Sequence, residues 1–367
     1  MQSYIHPSFY TSTDIFKQEQ TDIFHNLWQF VGFTSDLTNH NDYICAEIGG
    51  KSVIIQNFHG ELKAFHNLCS HRLSRIRQFS HGNEPLQCPY HGWVYDSDGI
   101  PVGIPCKSEF TNLDDSTLKS LRLDQWLVEI CGSLVFVKRY NDNKTLKEYL
   151  QSETFNTLES ISKAFGDKIG CYEKTIKANW KVVIENSLED YHVKQVHPQS
   201  LGKFFIPECN YSFSSLHSLG TLAHKSSGKK MEILESIFVN RPHKLDKYYH
   251  YLLFPNLMIA TTQGLSFSIQ SVSAISPSET KFKSHLFLSK LDHNTNEISR
   301  SQQAIVEVLS KSILEFNNKV LSEDWVICEQ VQLGIFESER YGILSIREKR
   351  IQEFQKAYIS VMNKKLD

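Results

Sequence analysis

Apolar positions change their period twice along the chain. Residues 8–35 carry an aromatic stripe, Phe16, Phe24, Leu27, Trp28 and Phe30, which predicts a helical segment packed by one face. From residue 41 the pattern shifts to short apolar runs separated by turn pairs. The stretch YICAEIGGKSVIIQNFHGELKAFHNLC is broken at Gly49-Gly50 and His59-Gly60, which predicts antiparallel hairpins. Asp98-Gly99 marks a further turn, and SLVFVKR (133–139) reads as the closing strand. Beyond it, KTLKEYLQSE and SETFNTLESISKAF read as helices, and CYEKTIKANWKVVIE as a strand that runs into a helix near Trp180. Residues 249–290 predict three or four antiparallel strands. Ile305, Val308, Leu309, Ile313, Leu314 and Phe316 recur at helical spacing within 300–332, and a last helix is expected over 345–363.

These patterns predict an α+β chain in three parts. Residues 1–40 form a helical segment packing on the last part, 41–145 an all-β module, and 146–367 a domain whose antiparallel sheet is covered by helices. Nothing repeats, and no apolar run reaches the roughly 18–20 residues needed to span a bilayer. The first residues lack the basic and apolar stretches of a secretory signal.

Composition narrows the function. Lys+Arg number 39 against 41 Asp+Glu, a net charge of −2, which offers no electrostatic case for nucleic acid or a membrane surface. The eight cysteines are scattered, which predicts a cytoplasmic chain with thiols reduced and any close pair available for metal. No G-x-G-x-x-G follows a strand, so the chain has no evident site for a flavin or nicotinamide of its own.

Two constellations carry chemistry. Cys69-Ser70-His71 and Cys88-Pro89-Tyr90-His91 each follow a strand and each give one Cys and one His. Zinc would accept such a set, although zinc fingers usually keep both cysteines together. One Cys and one His per loop suits a two-iron cluster in which one iron takes two thiolates and the other two imidazoles. The second constellation begins at NWKVVIENSLEDYHVKQVHP (179–198). His192 and His197 are five residues apart, about 140° on an unbroken helix, so sharing a metal requires a break between them. Asp324 stands in LSEDWVICEQVQLGI, a helix that is otherwise mostly apolar. Two His and one carboxylate make an O2-activating non-haem iron site. By spacing alone, all three read as readily as ordinary polar residues.

Taken in order, CSHR…CPYHGWVYDSDG resembles the Rieske [2Fe–2S] motif, and N-W-K…E-N…E-x-Y-H-x4-H followed by E-D…E-x-x-Q resembles the catalytic domain of Rieske non-haem iron oxygenase α subunits. The resemblance spans essentially the whole chain. It implies that Cys69 and Cys88 hold one iron of the cluster, His71 and His91 the other, and that His192, His197 and Asp324 hold a mononuclear Fe(2+). It implies a homotrimer in which Glu189 bridges His192 to His91 of the partner subunit. Asn186 and Tyr191 are read either as orienting ligands or substrate or as routine packing residues. Electrons would come from NAD(P)H through a separate reductase, with or without a ferredoxin. Glu at 189, where ring-hydroxylating relatives often have Asp, favours a quaternary amine or betaine, hydroxylated or demethylated with O2. An arene or aromatic acid is the alternative within the family. An iron–sulfur carrier without oxygenase activity, or a zinc-binding module, is the alternative outside it. Phe204, Phe205, Tyr249, Tyr251, Phe254 and Phe267 are the aromatic residues expected to line a pocket, to cage a cation or to be core.

Overall fold

The computed structural model describes residues 2–203, 209–223, 247–262, 264–291 and 299–362. Contacts divide the chain into two compact units, Gln20–Phe155 and Met1–Glu19 with Asn156–Asp367. The architecture is α+β, as its pattern predicts.

The smaller unit is built on strands β1 (Gln29–Phe33), β2 (Asp42–Ile48), β3 (Lys51–Phe58), β4 (Glu61–His66), β5 (His81–Asn83), β8 (Gln125–Cys131) and β9 (Leu134–Lys138), in the order β1-β9-β8-β4-β3-β2-β5. A two-stranded ribbon, β6 (Val94–Tyr95) with β7 (Pro101–Gly103), stands apart from it. Ile48 pairs with Lys51, leaving Gly49 (φ 56°) and Gly50 (φ 72°) as a two-residue turn. Both angles are left-handed, the conformation that matches strand twist and that glycine adopts without strain.

The helix expected over 8–35 is shorter than read. Helix α1 (Thr13–Glu19) runs into a wider π-type turn over Gln20–His25, and Gln29–Phe33 is a strand paired with β9. Phe30 and Phe33 therefore serve a sheet edge, where Phe30 packs edge-on against Phe136 with ring centroids 5.9 Å apart. By its contacts, the stretch 20–40 belongs to the smaller unit.

The larger unit holds a second seven-stranded antiparallel sheet, β10 (Phe165–Ile176), β11 (Cys209–Ser214), β12 (His217–Ala223), β13 (Lys247–Leu253), β14 (Leu257–Thr262), β15 (Ser266–Ser276) and β16 (Glu279–Ser289), in the order β10-β16-β15-β14-β13-β12-β11. Four of these strands answer to the 249–290 pattern; β11 and β12 were not foreseen. Helices α5 (Trp180–Ser187), α6 (Val193–Val196), α7 (Arg300–Glu337) and α8 (Lys349–Met362) follow in the chain, after α2 (Asp115–Ser120), α3 (Leu146–Leu150) and α4 (Ser152–Lys163).

Register decides which face the helices cover. Phe282 of β16 meets Trp325 of α7 at 6.1 Å, and Leu288 packs in a cluster with Ile305, Leu309 and Ile313 of the same helix. Alternate residues share a face. Through the pairs Leu286–Ser268, Ser268–Ala260, Ala260–His250 and His250–Gly220, the face under α7 continues to His250, Tyr248, Gly220 and Ser218.

Helix α5 is fixed by polar contacts at its start. Asn179 caps it by accepting from the Lys181 N–H at 3.0 Å, and its side chain donates to the carbonyls of Tyr10 and Pro277 at 3.2 and 2.8 Å. Gln332 of α7 accepts the Asn179 N–H at 2.8 Å. Within α5, the fully buried Lys181 ammonium contacts Glu19 Oε1 at 2.5 Å. Trp180 Nε1 and Tyr358 Oη donate to the same carboxylate at 2.9 and 2.7 Å. Burial pulls the Lys181 pKa down against the opposing pull of Glu19.

Candidate metal centres

Helix α5 ends at Ser187, and the chain turns through Leu188–Tyr191 before a single helical turn, α6. His192 precedes that turn and His197 follows it with φ −114° and ψ 45°. The break that two imidazoles five residues apart need is therefore built in. Opposite them stands Asp324, well inside α7. One ligand atom from each of His192, His197 and Asp324 can be chosen so that all three lie within 4.8 Å of one another.

Each imidazole is oriented by its own carboxylate. His192 donates from Nδ1 to Glu189, which also accepts the backbone N–H of His192 at 3.1 Å and that of Tyr191. His197 donates from Nδ1 to Glu323 Oε2 at 2.7 Å, and Ser200 Oγ donates to the same oxygen at 2.5 Å. Both Nε2 atoms then face Asp324 Oδ1, at 3.5 Å from His192 and 3.1 Å from His197. Asn186 Nδ2 donates to that oxygen at 2.9 Å. Burial alone would lower the His192 pKa, but hydrogen bonds and charge from Asp324 and Glu189 outweigh it and raise it to about 9. Asp324 is half-buried, and loss of hydration would raise its pKa, yet the two imidazoles hold it below the usual carboxylate range. Two oriented nitrogens and one oxygen converging in a half-buried place, with every outer nitrogen already bonded, fit a divalent first-row metal with open positions.

The other residues named from sequence separate. Asp190 points away from the trio and accepts from Arg347 Nη2 at 2.8 Å. Tyr191 contributes its backbone N–H only; its ring is 61% exposed, with the Arg347 guanidinium 5.6 Å from the centroid. Trp325 packs on Phe282. Tyr249, Tyr251 and Phe267 lie on the sheet face opposite to α7, by the register above. Phe254 is core, against Phe354 at 5.7 Å. Phe204 and Phe205 lie outside the described residues. Glu323 was missed because its partner is 126 positions away, and a charge adjacent to Asp324 carries no distinguishing signal in sequence.

In the smaller unit, Cys69 and Cys88 are buried, whereas His71 is half-buried and His91 exposed. The Nδ1 atoms of the two imidazoles converge to 3.1 Å. Trp93 stacks on His71 (centroids 4.9 Å apart, planes 2° apart) and Tyr90 on His91 at 3.8 Å. Backbone bonds shape both loops: Leu73 N–H to Cys69 O at 3.0 Å, and Gly92 N–H to Cys88 O at 3.0 Å. Tyr95, also missed from sequence, brings its hydroxyl to 3.0 Å from Cys69 Sγ and accepts the Ser70 N–H at 3.0 Å. Inner thiols and outer imidazoles, each pair contributed by both loops, fit a cluster whose two irons differ in ligand type.

Residues 151–364 match the catalytic domain of ring hydroxylating alpha subunits, and residues 27–122 match the Rieske [2Fe–2S] domain. The chain belongs to the Rieske ring-hydroxylating α-subunit family. It is an oxidoreductase of that family, with a [2Fe–2S] cluster domain and a non-haem iron catalytic domain supplied with NAD(P)H electrons by a separate reductase. Choline monooxygenase of Beta vulgaris is 25% identical over 95% of this chain and 74% of its own length. The carnitine monooxygenase oxygenase subunit of Acinetobacter pittii is 26% identical over 89% of this chain and 84% of its own. The glycine betaine monooxygenase oxygenase subunit of Pseudomonas aeruginosa is 30% identical over 53% of this chain and 44% of its own. In fold, the chain superposes on a quaternary ammonium Rieske monooxygenase in complex with L-carnitine with a TM-score of 0.77, 19% identity and 97% and 95% of the two chains covered. A naphthalene 1,2-dioxygenase with indole bound gives 0.75, 19%, 97% and 91%. Among the described residues no helix is long and apolar enough to cross a membrane.

Proposed function

We propose that this chain is the terminal oxygenase for a quaternary ammonium substrate, with His192, His197 and Asp324 as ligands of the mononuclear iron and Cys69, Cys88, His71 and His91 as ligands of the cluster. The observation that carries the reading is the trio within 4.8 Å whose two imidazoles are each held by a separate carboxylate. When bound, the cluster supplies electrons one at a time and the iron activates O2. The chain's own residues do the positioning. Glu189 and Glu323 keep protons on the two Nδ1 atoms, so the inward Nε2 atoms are the ones that would give up their protons to bind the metal. Asn186 holds the Asp324 carboxylate in line with them.

The overall reaction consumes substrate, O2, two electrons and two protons, and yields hydroxylated product and water. Hydroxylation at a carbon bound to nitrogen gives a carbinolamine, which breaks to a less substituted amine and an aldehyde. The names of the choline, glycine betaine and carnitine enzymes support the substrate class. In this reading the chain is a cytoplasmic homotrimer in which Glu189 also meets His91 of the partner subunit, and a ferredoxin can intervene before the reductase.

Oxygen uptake tests it. With a family reductase and NAD(P)H, uptake and aldehyde release are expected with glycine betaine, carnitine or choline, and none with benzoate or naphthalene. The reverse result overturns the substrate class and restores the arene alternative. Glu323→Gln is expected to weaken iron retention about 10–100-fold, because the amide no longer enforces the His197 tautomer. Iron per chain after a chelator challenge reads this out; wild-type retention would remove Glu323 from the site.

A further inference from the structure

Four cations are buried among the described residues: Arg77, Lys138, Lys181 and Arg350. Three of them meet a carboxylate, Arg77 with Glu84 at 3.1 Å, Lys138 with Asp142, and Lys181 with Glu19 at 2.5 Å. Arg350, on α8 and 3% exposed, meets none among the described residues. Its guanidinium donates from Nε to Ser218 Oγ at 3.1 Å, from Nη1 to His250 Nδ1 at 3.2 Å and from Nη2 to the His250 carbonyl at 3.1 Å. All three acceptors are neutral. Burial, and then the charge of Arg350 itself, push the His250 pKa down to about 3, so the imidazole does not add a second charge. Burial lowers the Arg350 pKa to about 10, which still leaves it charged at neutral pH; its ionisable neighbours are Cys209, Tyr211 and Tyr248, all protonated there. One helical turn earlier, the half-exposed Arg347 has Asp190 at 2.8 Å. Among the described residues, the more buried arginine is the one left without an acid.

A guanidinium has five N–H donors, and three bonds leave two unassigned. Holding such a charge out of water costs several kcal/mol unless an anion meets it. The fold also makes room for it: a Cβ on Gly220 would come within 2.8 Å of Arg350 Nη1. Ser218, Gly220, Tyr248 and His250 all belong to the sheet face covered by α7, the helix that carries Asp324. The Tyr248 phenol lies within electrostatic reach of both Arg350 and Asp324, and burial foremost raises its pKa to about 12.

We infer that Arg350 anchors a carboxylate of the substrate, so that the substrate class is a quaternary ammonium acid, not an amino alcohol. The ammonium part of this statement rests on the function proposed above; the carboxylate part rests on Arg350 alone. A planar guanidinium with, among the described residues, one N–H on each terminal nitrogen not engaged is suited to the two oxygens of a carboxylate. Glycine betaine and carnitine carry that group and choline does not.

Calorimetric binding to the full-length, iron-loaded protein tests it with matched pairs: glycine betaine and carnitine against their methyl esters and choline, and benzoate against benzamide. The wild type should bind the acids about 10–100-fold more tightly than the esters, the range expected for hydrogen bonds to a charged group. Arg350→Gln should remove that preference and leave ester binding within about threefold. Arg350→Lys retains the buried charge without the fork and should lose part of the preference; it decides the matter where the Gln variant does not fold. Equal weakening of acid and ester in either variant overturns the anchor, because it marks a packing role. Wild-type preference for choline or the esters also overturns it, while the quaternary ammonium reading stands. Arg350-dependent acid preference confined to benzoate keeps the anchor and overturns the ammonium reading instead.

Discussion

Asp324→Ala is expected to abolish substrate-dependent oxygen uptake while leaving the visible absorption of the cluster unchanged. The residue is the only carboxylate of the trio, and its Oδ1 is the common partner of His192, His197 and Asn186. Without it two neutral imidazoles remain, too few donors and no charge to hold a divalent cation. Iron should fall from about three per chain to about two. The proposed cluster ligands lie in the other compact unit, on loops stabilised by their own backbone bonds, so colour is expected to be retained. Turnover that survives the substitution would mean that the mononuclear site uses another acid. Asp324→Glu is the sharper control: charge is kept, the oxygen moves by one methylene, and partial iron retention with little turnover is expected.

The second large effect is on stability. Lys181→Met should destabilise the protein by about 3–5 kcal/mol, the cost of leaving a buried carboxylate without its cation. Glu19 has no exposed surface, and its three donors come from Trp180, Lys181 and Tyr358. Removing the ammonium leaves two neutral donors around a full charge. The double variant Glu19→Gln, Lys181→Met should recover part of the loss, because no unpaired ion remains. Urea midpoints with matched slopes read both out. A single variant no less stable than the double one would show that the pair acts only as packing. Lys181 lies in the first turn of the helix that leads to Asn186, so the single variant is also expected to hold iron less firmly.

Much of this arrangement is legible in the chain because its signals are local. The hairpin turns at Gly49-Gly50 and His59-Gly60 need left-handed backbone, and the sequence supplies residues that allow it. The paired Cys and His of each loop lie close together in sequence, and so do His192 and His197. What was misread depends on partners far away in sequence. The stripe through Phe30 resembles a helix face until Phe136 is known to lie beside it. Tyr249 and Tyr251 stay open between pocket and core in the sequence, because strand register, which no local signal specifies, is what turns them to the far face and gives Tyr248 and His250 to the near one. Glu323 and Arg350 stayed hidden for the same reason. Each looks like an ordinary helix charge until the burial around it, and the residue it meets, are seen.

The smaller unit interrupts the larger one in chain order, between Glu19 and Asn156. A graft that exchanges the electron-storing half for that of a relative therefore needs two splice points. One of them falls directly after an acid that neutralises the ammonium of α5. Head-to-tail fusion of two excised halves would discard that acid along with the first twenty or so residues. Any chimera should instead treat the opening segment as a strap belonging to the catalytic half, and insert the foreign module behind it.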